Sequence, residues 1–346
     1  MPNVTTDVNY QQVLSMALEE RSSSYEDLVS NNNALLALMR KKGLWRTYSG
    51  PRIRQTLQIG KADAQWYSGY DQLLNPAIDI FNDAFFSPKM VVVPIILSMQ
   101  EILNNEGESQ IMDTLESYMD AAERSLEDSM DVAMYSAGTA NGGKQLTGLA
   151  TAVPVLPNTG VYGGIDRGLN AIWRTKTYDP SSGAGSETWP AALGTQVSST
   201  TIRPQLNYIM TKQSRGRSYA DLLLMSAEHY AAYDAATVAI QRQTNESTLG
   251  KLGFSTLEYI GGGKRAEIVL DGGIGSNMPA DTTFGLNTDS FRLRYNANRN
   301  FDKLFKGDGQ MPIDKDAIAQ FIGWMGELTV VNPMFNWRFR DSNPAA

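Results

Sequence analysis

Apolar and polar positions change period several times along the chain, and each change marks an element. Tyr10, Val13, Leu14, Ala17 and Leu18 recur at i, i+3, i+4, i+7 and i+8, which predicts one face of a helix. Ser22, Ser23 and Ser24 and then Asn31, Asn32 and Asn33 interrupt it. A second apolar piece, 34–39, runs into Arg40-Lys41-Lys42-Gly43; cations in a last turn followed by glycine form a helix stop. Residues 1–43 are too short and interrupted for a domain and read as an arm that needs a surface to lie on. From 44 to 72 the period falls to two, through Trp45, Thr47, Ile53, Gln55, Leu57 and Ile59, a turn at Gly60-Lys61-Ala62-Asp63, then Gln65, Trp66, Tyr67 and Tyr70. That pattern predicts a long two-stranded hairpin, marginal in water on its own. Val91-Val92-Val93 predicts an apolar strand.

The clearest helix signal lies in 101–136, where Ile111, Leu115, Met119, Ala122, Leu126, Met130 and Ala133 recur every three or four residues. A helix over 108–136 would be about 43 Å long. Residues 140–200 are rich in Gly, Ser, Thr and Pro, with turns at Asn141-Gly142-Gly143 and Gly163-Gly164. Beyond them the pattern predicts a helix at 202–212, a strand at 222–225 and a helix at 227–241 with Ser226 as its N-cap. Strands follow at 257–260, 266–270 and 291–295. Residues 317–331 fit a strand through Ile318, Ile322, Trp324, Leu328 and Val330, or a helix opened by Asp314 and Asp316. The mixture defines an α+β chain.

Charge sharpens this picture. The 346 residues carry 30 Lys and Arg against 37 Asp and Glu, a net charge of −7, which argues against a basic nucleic-acid reader. Within 101–136, Glu101, Glu106, Glu108, Asp113, Glu116, Asp120, Glu123, Glu127, Asp128 and Asp131 face a single base, Arg124. That segment therefore accounts for essentially all of the net negative charge. Its bland reading is a solvated face; the sharper one is a strip awaiting a basic partner. The predicted hairpin has the opposite bias, with Arg46, Arg52, Arg54 and Lys61 against Asp63 and Asp71.

Composition removes most chemistry. There is no Cys, which excludes disulfides, thiolate metal sites and Cys nucleophiles. The single His, His229, excludes a multi-His metal cage within one chain, and its place in a predicted first helical turn suggests a surface or capping role. Gly261-Gly262-Gly263-Lys264 lacks phosphate-loop spacing, since Arg265 stands where Ser or Thr is needed, and reads as a turn. Asp271-Gly272-Gly273-Ile274-Gly275-Ser276-Asn277 reads as a loop, and the acids of 302–316 lack the order of a calcium loop. The apolar run 90–97 is too short to span a bilayer, and the first residues lack signal-peptide character. No catalytic, cofactor or metal site is expected. An arm, a basic hairpin and a long acidic helix would each gain stability on another copy of the chain, which points to assembly.

At this point a set of stretches resembles the major capsid proteins of tailed bacteriophages, with the Hong Kong 97 fold. They are Ser30-Asn31-Asn32-Asn33-Ala34-Leu35-Leu36, Gln65-Trp66-Tyr67-Ser68-Gly69-Tyr70, Asn141-Gly142-Gly143-Lys144-Gln145 with Gly148-Leu149, and Gly163-Gly164-Ile165-Asp166-Arg167 with Trp173-Arg174. Later come Asp271-Gly272-Gly273, Leu286-Asn287-Thr288 and Asn298-Arg299-Asn300-Phe301. Each is short, and the signal is their order across nearly the whole chain. The resemblance implies an N-terminal arm (1–43), an extended loop (44–90), a peripheral domain (91–140 and 286–346) with a spine helix, and an axial domain (141–285). It also implies that 317–331 is strand. As partners it implies pentamers and hexamers of the chain itself, a portal, a scaffolding protein, a possible decoration protein, and packaged double-stranded DNA held nonspecifically. The expected location is the virion, with assembly in the host cytoplasm. A cross-link between Lys61 and Asn332 is not expected, because its local motif is absent.

The residues expected at contacts between copies are Arg46, Arg52, Arg54, Lys61, Trp66 and Tyr67 on the hairpin and Asp113, Glu116, Asp120, Glu123 and Glu127 on the helix. Exposed ion pairs are weak, so charge would set register while apolar groups supply adhesion. Three rivals remain at this point: an encapsulin-like nanocompartment, a tail or surface-layer module, and an acid–base hydrolase.

Overall fold

Leu222, Leu223, Leu224 and Met225 are all fully buried, and this one strand explains how the chain is put together. Leu222 and Leu224 face one apolar cluster, Leu223 and Met225 the other. A continuous apolar run is what a strand buried on both faces requires. The computed structural model describes residues 34–58, 64–72, 80–98, 100, 108–181, 187–237, 256–271, 277–304 and 316–344. The expected arm helix over 1–33 lies outside them.

In chain order the elements are α1 (Ala34–Lys41), β1 (Trp45–Thr47), β2 (Ile53–Gln58), β3 (Phe81–Phe86), β4 (Lys89–Ser98) and α2 (Glu108–Tyr135), then β5 (Val161–Tyr162), β6 (Ile165–Asp166) and β7 (Lys176–Tyr178). There follow α3 (Ile202–Lys212), β8 (Leu222–Met225), α4 (Ala227–Thr237), β9 (Thr256–Gly261), β10 (Lys264–Leu270), β11 (Thr282–Leu286), β12 (Phe291–Lys303), β13 (Ala317–Val330) and β14 (Trp337–Arg340). Short helical turns fill the linkers. One sheet has the order β1-β12-β13-β4, another β7-β14-β11-β8-β10-β9, and β2-β3 form a separate ribbon.

The four-stranded sheet buries Val93, Ile95, Ile322, Trp324, Leu328, Val330, Phe291 and Leu293 in the cluster that also takes α1 and the apolar stripe of α2. The six-stranded sheet has α3 and α4 over its second cluster. Residues 317–330 form a strand because β12 and β4 pair with both of its edges, so backbone hydrogen bonding outweighs the helix-like start. At the end of α1, Leu44 N donates to Met39 O at 2.8 Å and Gly43 takes φ +64°, the left-handed stop that the cations and glycine predict. Gly262 and Gly263, at φ +57° and +71°, form the β9–β10 turn.

The structure corrects three readings, on the ribbon's return strand, on 45–47 and on His229. The return strand of the ribbon is Phe81–Phe86, not 65–70, because Phe86 and Ala84 complete a buried face with Ile53 and Leu57. The alternation at 45–47 belongs to the four-stranded sheet, where β1 pairs parallel with β12. Residues 337–340 pair with β11 and β7 in the six-stranded sheet, where Trp337 and Phe339 fill its core. His229 is buried rather than superficial: it lies against Phe339, and its Nδ1 is 2.8 Å from Thr283 Oγ1 on β11.

Candidate assembly interface

The ribbon sorts its side chains by the two-residue period of a strand. Its register runs from Ile53 opposite Phe86 to Gln58 opposite Phe81. The inner face, Ile53, Leu57, Ala84 and Phe86, is buried on the chain's own body. There Phe86 meets Tyr162 edge-on at 5.2 Å, and Phe85 N donates to Gly163 O at 2.9 Å. Arg167 supports that seat: its Nη2 donates to Thr151 O at 2.6 Å and its guanidinium lies 4.9 Å from the Tyr162 ring centre. The outer face carries Arg54, Thr56, Phe81, Asp83 and Phe85. Arg54 Nη2 lies 2.6 Å from Asp83 Oδ2, and Thr56 Oγ1 donates to Asp83 Oδ1 at 2.8 Å. These bonds hold the Asp83 carboxyl below its usual range.

Residues 64–72 form no strand. Trp66 is fully exposed and Tyr67 is 68% exposed, with Tyr70 beside them. A short turn fixes the segment: Ser68 N donates to Asp71 Oδ2, and Asp71 N to Ser68 O, both at 2.8 Å. Phe81 and Phe85 add exposed rings on the ribbon. Trp66, Tyr67 and Tyr70 fall within five residues of one another, and large exposed aromatics so close in sequence suit a surface that another surface covers. Arg46 and Arg52 are exposed. Lys61 lies outside the described residues.

The helix behaves as its pattern requires. Met119, Ala122, Leu126, Met130, Ala133 and Met134 are buried, and the helix packs along β4. Asp113, Glu116, Glu123 and Glu127 are positions on α2; Asp120 is half-buried, and Arg124 and Asp128 are exposed. Of the contact residues expected from sequence, Arg54 lies exposed on the ribbon's outer face, beside Asp83 of the same ribbon.

Other groups emerge only from the tertiary structure. Arg46 on β1 is the register partner of Arg294 on β12, with Arg292 two residues away. The three guanidiniums repel: burial first, then its cationic neighbours, lower the Arg294 pKa, and Arg292 is lowered by burial and Arg46. At the joints between the two sheets, buried carboxyls hold the linkers. Glu327 on β13 accepts a hydrogen bond from Thr147 N at 2.9 Å, and burial raises its pKa to about 8. Tyr135, at the end of α2, donates to Asp271, whose pKa burial raises to about 6. Lys42 Nζ lies 2.6 Å from Asp221 Oδ2 and 2.5 Å from Thr288 Oγ1. Spacing in sequence gave no sign of these pairs, whose members lie 136 to 246 residues apart.

Among the described residues, no group of three or more His, Asp or Glu side chains is placed to hold a metal ion, and no helix is long and apolar enough to cross a membrane. No family model and no curated protein matches the sequence. Solved structures do match. The chain is similar to a chain of the cyanophage A-1(L) capsid asymmetric unit, with TM-score 0.56 and 15% identity over 87% of this chain and 92% of that one. It is similar to a chain of Mycobacterium phage Bobi, with TM-score 0.50 and 11% identity over 87% and 90%. It is also similar to the capsid of a native GTA particle, with TM-score 0.50 and 9% identity over 89% and 90%. The fold is that of phage capsid subunits, a mixed helix-and-sheet chain matched across most of its length.

Proposed function

We propose that the chain is the major capsid protein of a tailed bacteriophage, closing as pentamers and hexamers into a shell around double-stranded DNA. The observation that carries this reading is the exposed aromatic segment Trp66, Tyr67 and Tyr70, borne on a ribbon whose other face is already buried, in a chain with a capsid fold. Such a segment is complete only when another copy covers it. In this reading 1–43 is the arm, 44–90 the extended loop, 91–140 with 286–346 the peripheral part and 141–285 the axial part, β14 joining the axial sheet. The ribbon of one copy overlies α2 of the next. Trp66 and Tyr67 supply adhesion, and Arg52 and Lys61 of the extended loop, with Arg46 on β1 beside it, set register against Asp113, Glu116, Asp120, Glu123 and Glu127. Arg54 contributes through the ribbon's own geometry, since Asp83 occupies it. The shell is a structural device with no catalytic step, contacts DNA nonspecifically, assembles in the host cytoplasm and works with a portal and a scaffolding protein.

Negative-stain microscopy of the purified chain tests this directly. Closed icosahedral particles are the expected result, and nucleic-acid content separates a phage head from a nanocompartment filled with protein. Tubes or flat sheets would assign the chain to a tail or surface layer. A monomer that stays dispersed at high concentration would overturn the proposal.

A further inference from the structure

The four-stranded sheet carries opposite charges at its two ends. Strand order β1-β12-β13-β4 puts Arg46, Arg292 and Arg294 at one end and α2, which packs along β4, at the other. Among the described residues no carboxylate forms an ion pair with any of the three arginines. Arg294 Nε is buried without a hydrogen-bond partner, its Nη2 reaching only Gln55 Oε1 at 3.5 Å. Charge on an exposed edge strand discourages edge-to-edge pairing, which accounts for Arg46 alone. It does not account for Arg292 and Arg294 on the inner strand, where burial and mutual repulsion both cost stability. Asp289 acts on Arg292, in the opposite sense to burial and Arg46.

We propose that Arg46, Arg292 and Arg294 form a seat for the acidic face of α2 from a second copy of the chain. This rests on the shell reading and deepens it by naming the receiving surface. A head-to-tail contact joins two different patches of one chain, and repeated contacts of that kind generate rings. Complementary patches at opposite ends of one sheet have the required disposition. The segment 101–136, with ten acids and one base, supplies the charge that the three arginines lack. A nucleic-acid phosphate could meet the same guanidiniums, but a second chain brings its acids to a fixed position at the sheet's end.

The test is self-association of the full chain by sedimentation, with circular-dichroism melts as the folding control. Wild type, Arg46→Glu/Arg292→Glu, Ser125→Lys/Asp128→Lys and the combined chain are compared, with Arg46→Gln/Arg292→Gln as a milder first set. Each double variant alone is expected to weaken association about tenfold, and the combined chain to return to within about threefold of wild type. Raising salt from about 50 mM to about 500 mM should weaken wild type in the same way. Failure of the combined chain to recover would overturn the pairing. So would an arginine variant that associates normally yet loses affinity for a short duplex DNA, which would make the seat a phosphate site. Reciprocal rescue without closed particles would uphold the edge pairing and sink the shell reading. Closed particles indifferent to both reversals would do the opposite.

Discussion

Arg54 on β2 and Asp83 on β3 face each other across the ribbon, Nη2 to Oδ2 at 2.6 Å, outside the body of the molecule. Thr56 holds the same carboxylate from the other side. The pair ties β2 to β3 on the ribbon's outer face. Arg54→Glu would set two carboxylates against each other, so it is expected to reduce particle yield through the ribbon's own shape. The exchange Arg54→Asp/Asp83→Arg should restore yield, whereas Arg52→Glu should lower it with no such rescue. Particle counts by microscopy decide; an exchange variant as defective as Arg54→Glu would show that Arg54 touches a partner instead.

Trp66 and Tyr67 touch little within the chain, so truncating them should leave the fold alone. Trp66→Ala/Tyr67→Ala is expected to melt within a degree or two of wild type, because substitutions on such a surface are usually within about 0.5 kcal/mol. The same variant should form no particles. A large drop in melting temperature would show that the rings pack on their own chain.

Glu327 is neutral in the folded chain below about pH 8, held there by burial and opposed by the Thr147 hydrogen bond and Lys89. Its unfolded carboxyl releases a proton near its ordinary 4.5. The folded state therefore binds the extra proton between those values, and stability falls as pH rises from about 4.5 to about 8. The size of the effect is on the order of a few kcal/mol. Glu327→Gln should abolish that slope and exceed wild type in urea midpoint above pH 8. Parallel slopes for the two chains would count against the assignment.

His229 has the opposite sign. Burial lowers its pKa from 6.5 to about 4, and Glu228 offsets only part of that. The unfolded imidazole takes up a proton below 6.5 while the folded one does not, so stability is lost as pH falls from 6.5 towards 4. Because the chain has one His, a single imidazole resonance reports it. That resonance should titrate near pH 4; a midpoint above 6 would place His229 in water after all.

Gly148 marks where the linker crosses the last turn of α2. A Cβ there would lie 2.3 Å from the carbonyl oxygens of both Ala133 and Met134. Backbone atoms in a buried helix end cannot swing aside, so Gly148→Ala should cost about 1–3 kcal/mol in denaturant unfolding. A neutral substitution would mean that the linker can shift away from the helix.

The long helix, strands β8, β9 and β10 of the six-stranded sheet and the turn at Gly262 and Gly263 were legible because their signals are local, whereas β7, β11 and β14 carried no such signal. A stripe at three and four residues, a fully apolar four-residue run and a glycine pair each specify one conformation without reference to distant chain. The ribbon was legible only in part. Its first strand alternates clearly, but its partner was misplaced, since the aromatic run at 65–70 imitates a strand better than Phe81-Asn82-Asp83-Ala84-Phe85-Phe86 does. Alternation shows that a residue has two faces; only packing on Tyr162 and Trp173 decides which strand supplies the second one.

By itself, the sequence determined the α+β class, the concentration of negative charge on one helix, and the absence of cysteine chemistry. These follow from composition and short-range period. The tertiary structure decided the rest. It set Arg54 beside Asp83 on the ribbon's outer face, buried His229, and brought Arg46 beside Arg292 and Arg294 from across the chain. Ionisable groups act through space, so their partners and their proton affinities exist only once strand order has been fixed.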